Sequence, residues 1–451
     1  MSKWFFRIGL CICAGMCGFT ARVHAEAPPN VVIIFTDDQG YQDVGCFGSP
    51  KIRTPNLDRM AENGTRFTSF YSACSVCSPS RAALLTGCYP QRTGITRVLF
   101  PNAKEGLNEE TITIARLLKG KGYATACVGK WHLGHKPGNL PTDRGFDSYF
   151  GIPYSNDMSL DREAKLADDI VLREGVTLET IRKGNLPRNK VPLMRGREVI
   201  EYPADQSLLT RRYTEEAIEF IRRNREKPFL LYLPHTMPHI PLFASEEFKG
   251  RSARGRYGDT IEEIDWSTGE ILGTLGELGL ADRTLVVYTS DNGPWNIGER
   301  GGCALPLRGW KGQTHEGGMR VPCLMQWPGT IPAGRVTDEL MATIDLFPTI
   351  ARMAGAAVGD QPVDGHDMLD FLMGKAASPR TEFCYIKSQG GRFEALRSGK
   401  WKLRMAGKET ELFDLEADLR ESRNLAGEHP GLVKRLAERM AEWEDRTRGG
   451  R

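Results

Sequence analysis

The 451-residue sequence is poor in the features that mark nucleic-acid binders, disulfide scaffolds and membrane proteins. Its charge is nearly balanced, with 60 Lys and Arg against 57 Asp and Glu. The small surplus sits in the first 25 residues, where Lys3, Arg7 and Arg22 are the only charges apart from histidine, and the rest sums to zero. A nucleic-acid partner therefore has no electrostatic support. Of 11 cysteines, Cys11, Cys13 and Cys17 fall in that same segment. The other eight are Cys46, Cys74, Cys77, Cys88, Cys127, Cys303, Cys323 and Cys384, whose spacing matches neither a disulfide framework nor a zinc site and leaves pairing open. Internal repeats are absent. Beyond residue 25 no apolar run is long enough to span a bilayer. The first 25 residues themselves carry Lys3 and Arg7, an apolar run over 8–16, and Val23-His24-Ala25 before Glu26. That is the pattern of a secretory signal with a small-residue cleavage site. The expectation is an exported protein, periplasmic or extracellular, with no integral membrane segment once the signal is removed.

What the chain does have is a set of buried-strand runs with chemistry at their ends. Residues 30–35, NVVIIF, form a continuous apolar and largely β-branched run, as in a strand covered on both faces. It ends in Thr36-Asp37-Asp38-Gln39-Gly40. A second run over 285–290 ends in Asp291-Asn292-Gly293. An aspartate pair is ordinary turn chemistry by itself. Two strand ends offering only oxygen donors suit a hard cation, at the edge where α/β sheets bind ligands. A third run, 123–128, leads into Gly129-Lys130-Trp131-His132-Leu133-Gly134, and extended backbone there would set Lys130 and His132 on one side. The fourth, 228–233, leads into Pro234-His235-Thr236-Met237-Pro238-His239. Cys77-Ser78-Pro79-Ser80-Arg81, continuing to Thr86-Gly87, reads as a loop entering a helix, with Ser78 as N-cap and Gly87 as the stop. Cys77 would then stand at an anion-favouring helix end, with Arg81 four residues on. Alone, the stretch better suits a buried structural cysteine beside a surface arginine. With the strand ends it suggests a cationic, metal-bearing oxyanion site.

Cys77-Ser78-Pro79-Ser80-Arg81 followed by AALLTG over 82–87 resembles the signature of the type I sulfatases, of the arylsulfatase A and N-acetylgalactosamine-6-sulfatase kind. GKWHLG over 129–134, GIPYS over 151–155, the H-x-P stretch at His239 and the glycine-rich run around Lys311 extend the resemblance along nearly the whole chain. It implies an alkaline-phosphatase-like α/β fold, a large mixed sheet flanked by helices, with a small C-terminal antiparallel sheet plus helix. It implies that a maturation enzyme converts Cys77 to formylglycine, whose hydrate is the nucleophile. It puts Asp37, Asp38, Asp291, Asn292 and position 77 around Ca²⁺, with Mg²⁺ the weaker alternative. Arg81, Lys130 and Lys311 would neutralise the sulfate, Asp291 would activate the nucleophile, and His239 with Lys311 would protonate the leaving alcohol. His132 would take a proton in the second half of the reaction. Ser155 and Lys311 would bind sulfate, with His235 as a further pocket residue. The substrate implied is a sulfated saccharide or aryl sulfate.

Three segments are expected: a signal over 1–25, a catalytic α/β domain over 26–375, and a C-terminal α+β subdomain over 376–451. The polar stretch 160–205 reads as an insertion over the active-site edge and a source of substrate choice. In the tail, strands are expected near 383–386, 393–397 and 400–404, then a turn at 412–415 and a helix over 430–443. Trp310 and His315 depart from the expected family forms. Two other functions fit some of these features: hydrolysis of phosphate or phosphonate esters at the same metal edge, and non-catalytic binding of sulfated glycans.

Overall fold

A computed structural model describes Met1, residues 28–184 and residues 186–448. The proposed signal lies outside the described residues except for Met1. No described helix is long and apolar enough to cross a membrane.

The four apolar runs form β1 (Asn30–Thr36), β2 (Ala124–Val128), β3 (Phe229–Pro234) and β4 (Thr284–Ser290), parallel neighbours in the order β4-β1-β3-β2 at the centre of an eleven-stranded sheet. The alternation of a strand explains why β1 is apolar throughout. Val31, Ile33 and Phe35 enter one core, with Leu84 and Leu85 of the helix α1 (Cys77–Thr86) and Leu346, Phe347 and Ile350. Val32 and Ile34 enter the other, with Tyr213, Phe220, Ile264 and Ile271 from helices Leu209–Arg223 and Arg256–Glu277. Each such side chain withdrawn from water contributes about 1.5–3 kcal/mol, which holds the strands between two helical layers, and their parallel pairing puts their C-terminal ends on one edge.

The sheet departs from the sequence reading at its margin. Residues 160–205 are not a lid over the site. They supply strands Leu166–Leu172, Leu193–Arg195 and Glu198–Tyr202, which extend the sheet beyond Ser148–Gly151 to its edge. These strands are short, and the outermost is largely open to solvent, so their composition stays polar and hides the period.

The small second sheet is antiparallel, β5 (Glu382–Ile386), β6 (Phe393–Ser398), β7 (Trp401–Ala406) and β8 (Glu409–Asp414), with helix α2 (Pro430–Arg448) packed through Leu436 and Trp443. Residues 412–414, expected in a turn, pair with Trp401, Lys402 and Leu403 as the end of β8. The architecture is the large mixed sheet plus small antiparallel sheet that the motifs implied. All eight cysteines beyond the first segment are unpaired thiols.

Candidate active site

The four strand ends meet at one edge of the sheet. β1 and β4 end side by side, so Asp37 and Asp38 face Asp291 and Asn292: the Asp38 amide donates to Asp291 Oδ1 at 3.1 Å, and Asn292 Nδ2 donates to Asp38 Oδ1 at 2.7 Å. Asp38 adopts φ 62°, a left-handed conformation uncommon for a residue with a Cβ, which the two strand ends hold in place. β2 and β3 approach so closely that a Cβ on Gly129 would lie 2.0 Å from the Pro234 carbonyl oxygen. Glycine there lets Lys130 turn back, and its ammonium pairs with Asp37 Oδ2.

Cys77 is the first residue of α1 and 2% exposed. The cap is Val76, with extended backbone and no side-chain bond, rather than Ser78, whose hydroxyl accepts from the Leu99 amide at 3.1 Å and ties α1 to the next loop. Gly87 ends the helix at φ 70°, as read from the sequence. Arg81 is wholly buried: it donates to Asp291 Oδ2 at 2.7 and 3.1 Å, to the Lys130 carbonyl at 3.0 Å, and lies 3.3 Å from Asp37 Oδ2. The surface-arginine alternative is therefore excluded. Lys311 reaches in from the glycine-rich loop and donates to Asp38 Oδ2 at 2.8 Å. Two backbone bonds hold that loop against the site, Gly312 N to Ser75 O at 2.8 Å and Lys311 N to Pro294 O at 2.9 Å.

The charges are nearly all internal, and burial decides how each behaves. Burial alone would raise the Asp37 carboxyl, but Lys130, His239, Arg81 and Lys311 outweigh it and hold the group well below the usual carboxylate range. Asp291 goes the other way: burial and then the charge of Asp37 push it up to about 7, against the pull of Arg81. Burial also raises the Cys77 thiol, despite Lys130 and Lys311, so an unmodified cysteine here is a protonated thiol and a weak nucleophile. Asp37 Oδ1 and Asn292 Oδ1 are buried with no hydrogen-bond partner. Two orphaned oxygens beside crowded carboxylates are costly unless a cation meets them, and an all-oxygen set suits Ca²⁺. Asp37, Asp38 and His239 also bring ligand atoms within 4.8 Å of one another.

His132 and His239 are both buried. His132, at φ 62°, places Nε2 at 2.8 Å from the Leu99 carbonyl. A carbonyl only accepts, so Nε2 carries the proton and Nδ1, buried and unpartnered, keeps its lone pair. Burial, with Lys130 and Arg81 beside it, keeps the ring neutral, far below the ordinary histidine value. His239 donates from Nδ1 to the Ile240 carbonyl at 2.7 Å, lies 3.1 Å from Asn156 Oδ1, and turns Nε2 toward Asp38 Oδ2 at 3.6 Å. Ser155 accepts from Lys130 at 3.3 Å.

Cys77, His132, Ser155, His239 and Lys311 open together on a cavity of about 530 Å³. His235 does not. Its ring is wholly buried behind β3, 3.4 Å from Ser267 Oγ and near the Tyr213 ring, and burial lowers it to about 3. Its expected place in the pocket is withdrawn, because its ring packs against the helices Leu209–Arg223 and Arg256–Glu277 on one face of the sheet. Trp310 and His315 likewise stay outside the cavity lining. The sequence reading missed Trp295, whose ring lies 4.6 Å from Lys311 Nζ and 5.6 Å from the His239 ring. Its position two residues after the Asp291-Asn292-Gly293 turn was the available signal. Also missed were Arg97, Phe100 and the hairpin tip Ser388–Gly390, which reach the cavity from distant parts of the chain.

The arrangement gathers three cations, Arg81, Lys130 and Lys311, and three carboxylates, Asp37, Asp38 and Asp291, at one sheet edge beside a cavity on which Cys77 and the neutral His132 both open. Comparison with known proteins agrees. The Sulfatase family model matches residues 29–356, and the model for the C-terminal part of N-sulphoglucosamine sulphohydrolase matches residues 309–446. The chain is 39% identical to arylsulfatase A of Homo sapiens over 433 residues, 94% of this chain and 84% of that protein. It is 40% identical to N-acetylgalactosamine-6-sulfatase of Canis lupus familiaris over 395 residues, 84% of this chain and 72% of that one. The crystal structure of Ps i-CgsB superposes with a TM-score of 0.81 at 31% identity, covering 92% of each chain. A family match over most of the chain, with a relative 39% identical across 94% of it, leaves one assignment: this protein belongs to the sulfatase family and is a sulfuric ester hydrolase.

Proposed function

We propose that this sulfatase is an exported, formylglycine- and calcium-dependent enzyme acting on sulfated saccharides, with Cys77 converted by a maturation enzyme. The observation that carries the reading is the convergence of four strand ends on Cys77, leaving two buried oxygens, Asp37 Oδ1 and Asn292 Oδ1, unsatisfied. Asp37, Asp38, Asp291 and Asn292, with position 77, would hold Ca²⁺, which supplies positive charge against the sulfate group. The hydrated aldehyde at 77 would supply the hydroxyl nucleophile for sulfur.

The remaining work belongs to the side chains. Arg81 spans Asp37 and Asp291 and fixes their inner oxygens, so neither carboxylate can swing into the space a sulfate needs. Asp291, the carboxylate at the end of β4 that Arg81 and the Asp38 amide hold in place, is the group we assign to take a proton from the nucleophile. Lys311 and Ser155 present donors to the sulfate oxygens from the cavity wall, where preorganised donors act most strongly, and Lys130 behind them holds Asp37 and Ser155 in place. His239 and Lys311 stand together beside Trp295, on the side we assign to the leaving alcohol. His132, neutral with Nδ1 free, is set to accept a proton rather than give one.

Mass spectrometry of the Cys77 peptide from active protein, with turnover of a nitrophenyl sulfate and the matching phosphate, tests the reading. An aldehyde at 77 and preference for the sulfate are expected. Full activity with an unmodified thiol would refute the nucleophile, and preference for the phosphate would favour the phosphoesterase alternative.

A further inference from the structure

The loop joining β5 to β6 stands between two cavities. The inner one is the site described above, bounded at its outer end by Arg97, Phe100, Ser388, Gln389 and Gly390. The second, about 740 Å³, lies on the other side of the loop and is lined by Gln91, Arg92, Thr96, Asn108, Gly391 and Arg448, with Gly390 again. Both cavities therefore take one wall from the segment 91–108 and the other from the hairpin tip, and they adjoin at Gly390. The walls lie close at their base: a Cβ on Gly391 would sit 2.5 Å from the Thr96 methyl carbon.

The outer cavity has the chemistry of a saccharide site. Gln91, Thr96 and Asn108 line it with neutral polar side chains that both donate and accept hydrogen bonds. Sugar hydroxyls do both. Its lining contains two arginines, Arg92 and Arg448, and no carboxylate. Each guanidinium is braced by a neighbouring acid, Arg92 by Asp364 at 3.0 Å and Arg448 by Glu444 at 2.5 Å. Phe100, 51% exposed at the boundary, offers an apolar face to a sugar ring.

We propose that the outer cavity binds saccharide residues beyond the one carrying the scissile sulfate, so that the preferred substrate is an anionic oligosaccharide lying along residues 91–108. The inference rests on the sulfated-saccharide reading of the inner cavity. Calorimetry tests it with the full chain, Ca²⁺ and Cys77→Ala, which prevents turnover. The probes are chondroitin 6-sulfate and carrageenan oligosaccharides of disaccharide, tetrasaccharide and hexasaccharide length. Affinity in at least one series should rise about tenfold or more from disaccharide to hexasaccharide. Gln91→Ala should remove most of that gain and leave disaccharide affinity unchanged. Arg448→Glu, at the exposed end of α2 where folding is not at risk, should do the same. Affinity independent of length, or a length gain that survives both variants, would overturn the proposal. Failure of every probe to bind, disaccharides included, would instead overturn the saccharide reading of the inner cavity, and the proposal with it.

Discussion

Lys402→Met tests how the small sheet supports the site. Lys402 is 0% exposed and bridges Glu316 Oε1 at 2.9 Å and Glu421 Oε1 at 2.7 Å. Glu316 also accepts from Tyr71 at 2.6 Å, Tyr385 at 2.5 Å and Arg320 at 3.3 Å, while its amide donates to Glu421 Oε2 at 2.8 Å. Methionine keeps the stem and deletes the charge. Glu316 retains Arg320 and two phenols, but Glu421 is left as a buried carboxylate beside another. Breaking a buried pair in this way costs about 3–5 kcal/mol, a large share of the roughly 5–15 kcal/mol that holds a typical protein folded. The sign of the pH dependence follows from Glu421, which burial already pushes above the ordinary glutamate value. Without Lys402 it rises further, so the folded state binds a proton more tightly than the unfolded chain. Stability is then lost as pH climbs from the unfolded value through the raised one. Urea unfolding of wild type and variant at about pH 5 and about pH 8 should show a deficit that is larger at the higher pH. A loss below about 1 kcal/mol, or one equal at both pH values, would refute the view of this cluster as a single charged unit.

Three shorter expectations concern the site. Chelation should abolish turnover and Ca²⁺ should restore it better than transition metals, because the proposed ligands are hard oxygens. Asp37→Asn should weaken metal binding measured by calorimetry, and unchanged affinity would exclude Asp37 as a ligand. Trp295→Ala removes a cation–π contact with Lys311 worth about 0.5–2 kcal/mol, so KM should rise between about twofold and thirtyfold, with Trp295→Phe recovering most of it.

The centre of the fold was legible because β1 to β4 are covered on both faces, and only a continuous apolar run satisfies that condition. Their ends were legible because charged residues directly after such runs have nowhere to go but the sheet edge. The margin was not. In Leu166–Leu172 only Ala167 is buried, so no alternation survives to betray the strand. His235 misled because proximity to His239 in sequence says nothing of direction, and its ring turns into the core beside Ser267 and Tyr213. The outer wall was hidden for another reason: Phe100 and Gln389 meet across the cavity from 289 positions apart, and neither lies in a motif. The tether of the Lys311 loop was equally hidden. Thr314 donates to Glu394 of β6 at 2.5 Å and Arg308 to the Glu421 carbonyl at 2.8 Å, so the small sheet fixes a loop whose importance showed only in Lys311.

His239 can be tested as proton donor through the leaving group. Its Nδ1 is committed to the Ile240 carbonyl, so a proton for the departing alcohol must come from Nε2, which now faces Asp38. Burial and Lys311 work against protonation of the ring, and Asp38 works for it. Lys311 is held charged by Asp38 against the opposing effect of burial, which makes it the competing donor. A sugar alkoxide leaves poorly without a proton, whereas nitrophenolate leaves nearly unaided. Loss of a general acid typically costs about 10²–10⁴-fold where the proton matters. His239→Ala should therefore damage turnover of alkyl or sugar sulfates far more than that of nitrophenyl sulfates, provided ester cleavage limits the rate. His132→Ala should slow both alike when the later step limits, since in the proposed reaction its free Nδ1 would act after the alcohol has gone. Turnover of both variants on matched alkyl and nitrophenyl sulfates, with a burst assay to identify the slow step, separates these outcomes. An equal loss on both substrates for His239→Ala, with ester cleavage limiting, would transfer the donor role to Lys311. His235 is no substitute, because its ring lies outside the cavity lining.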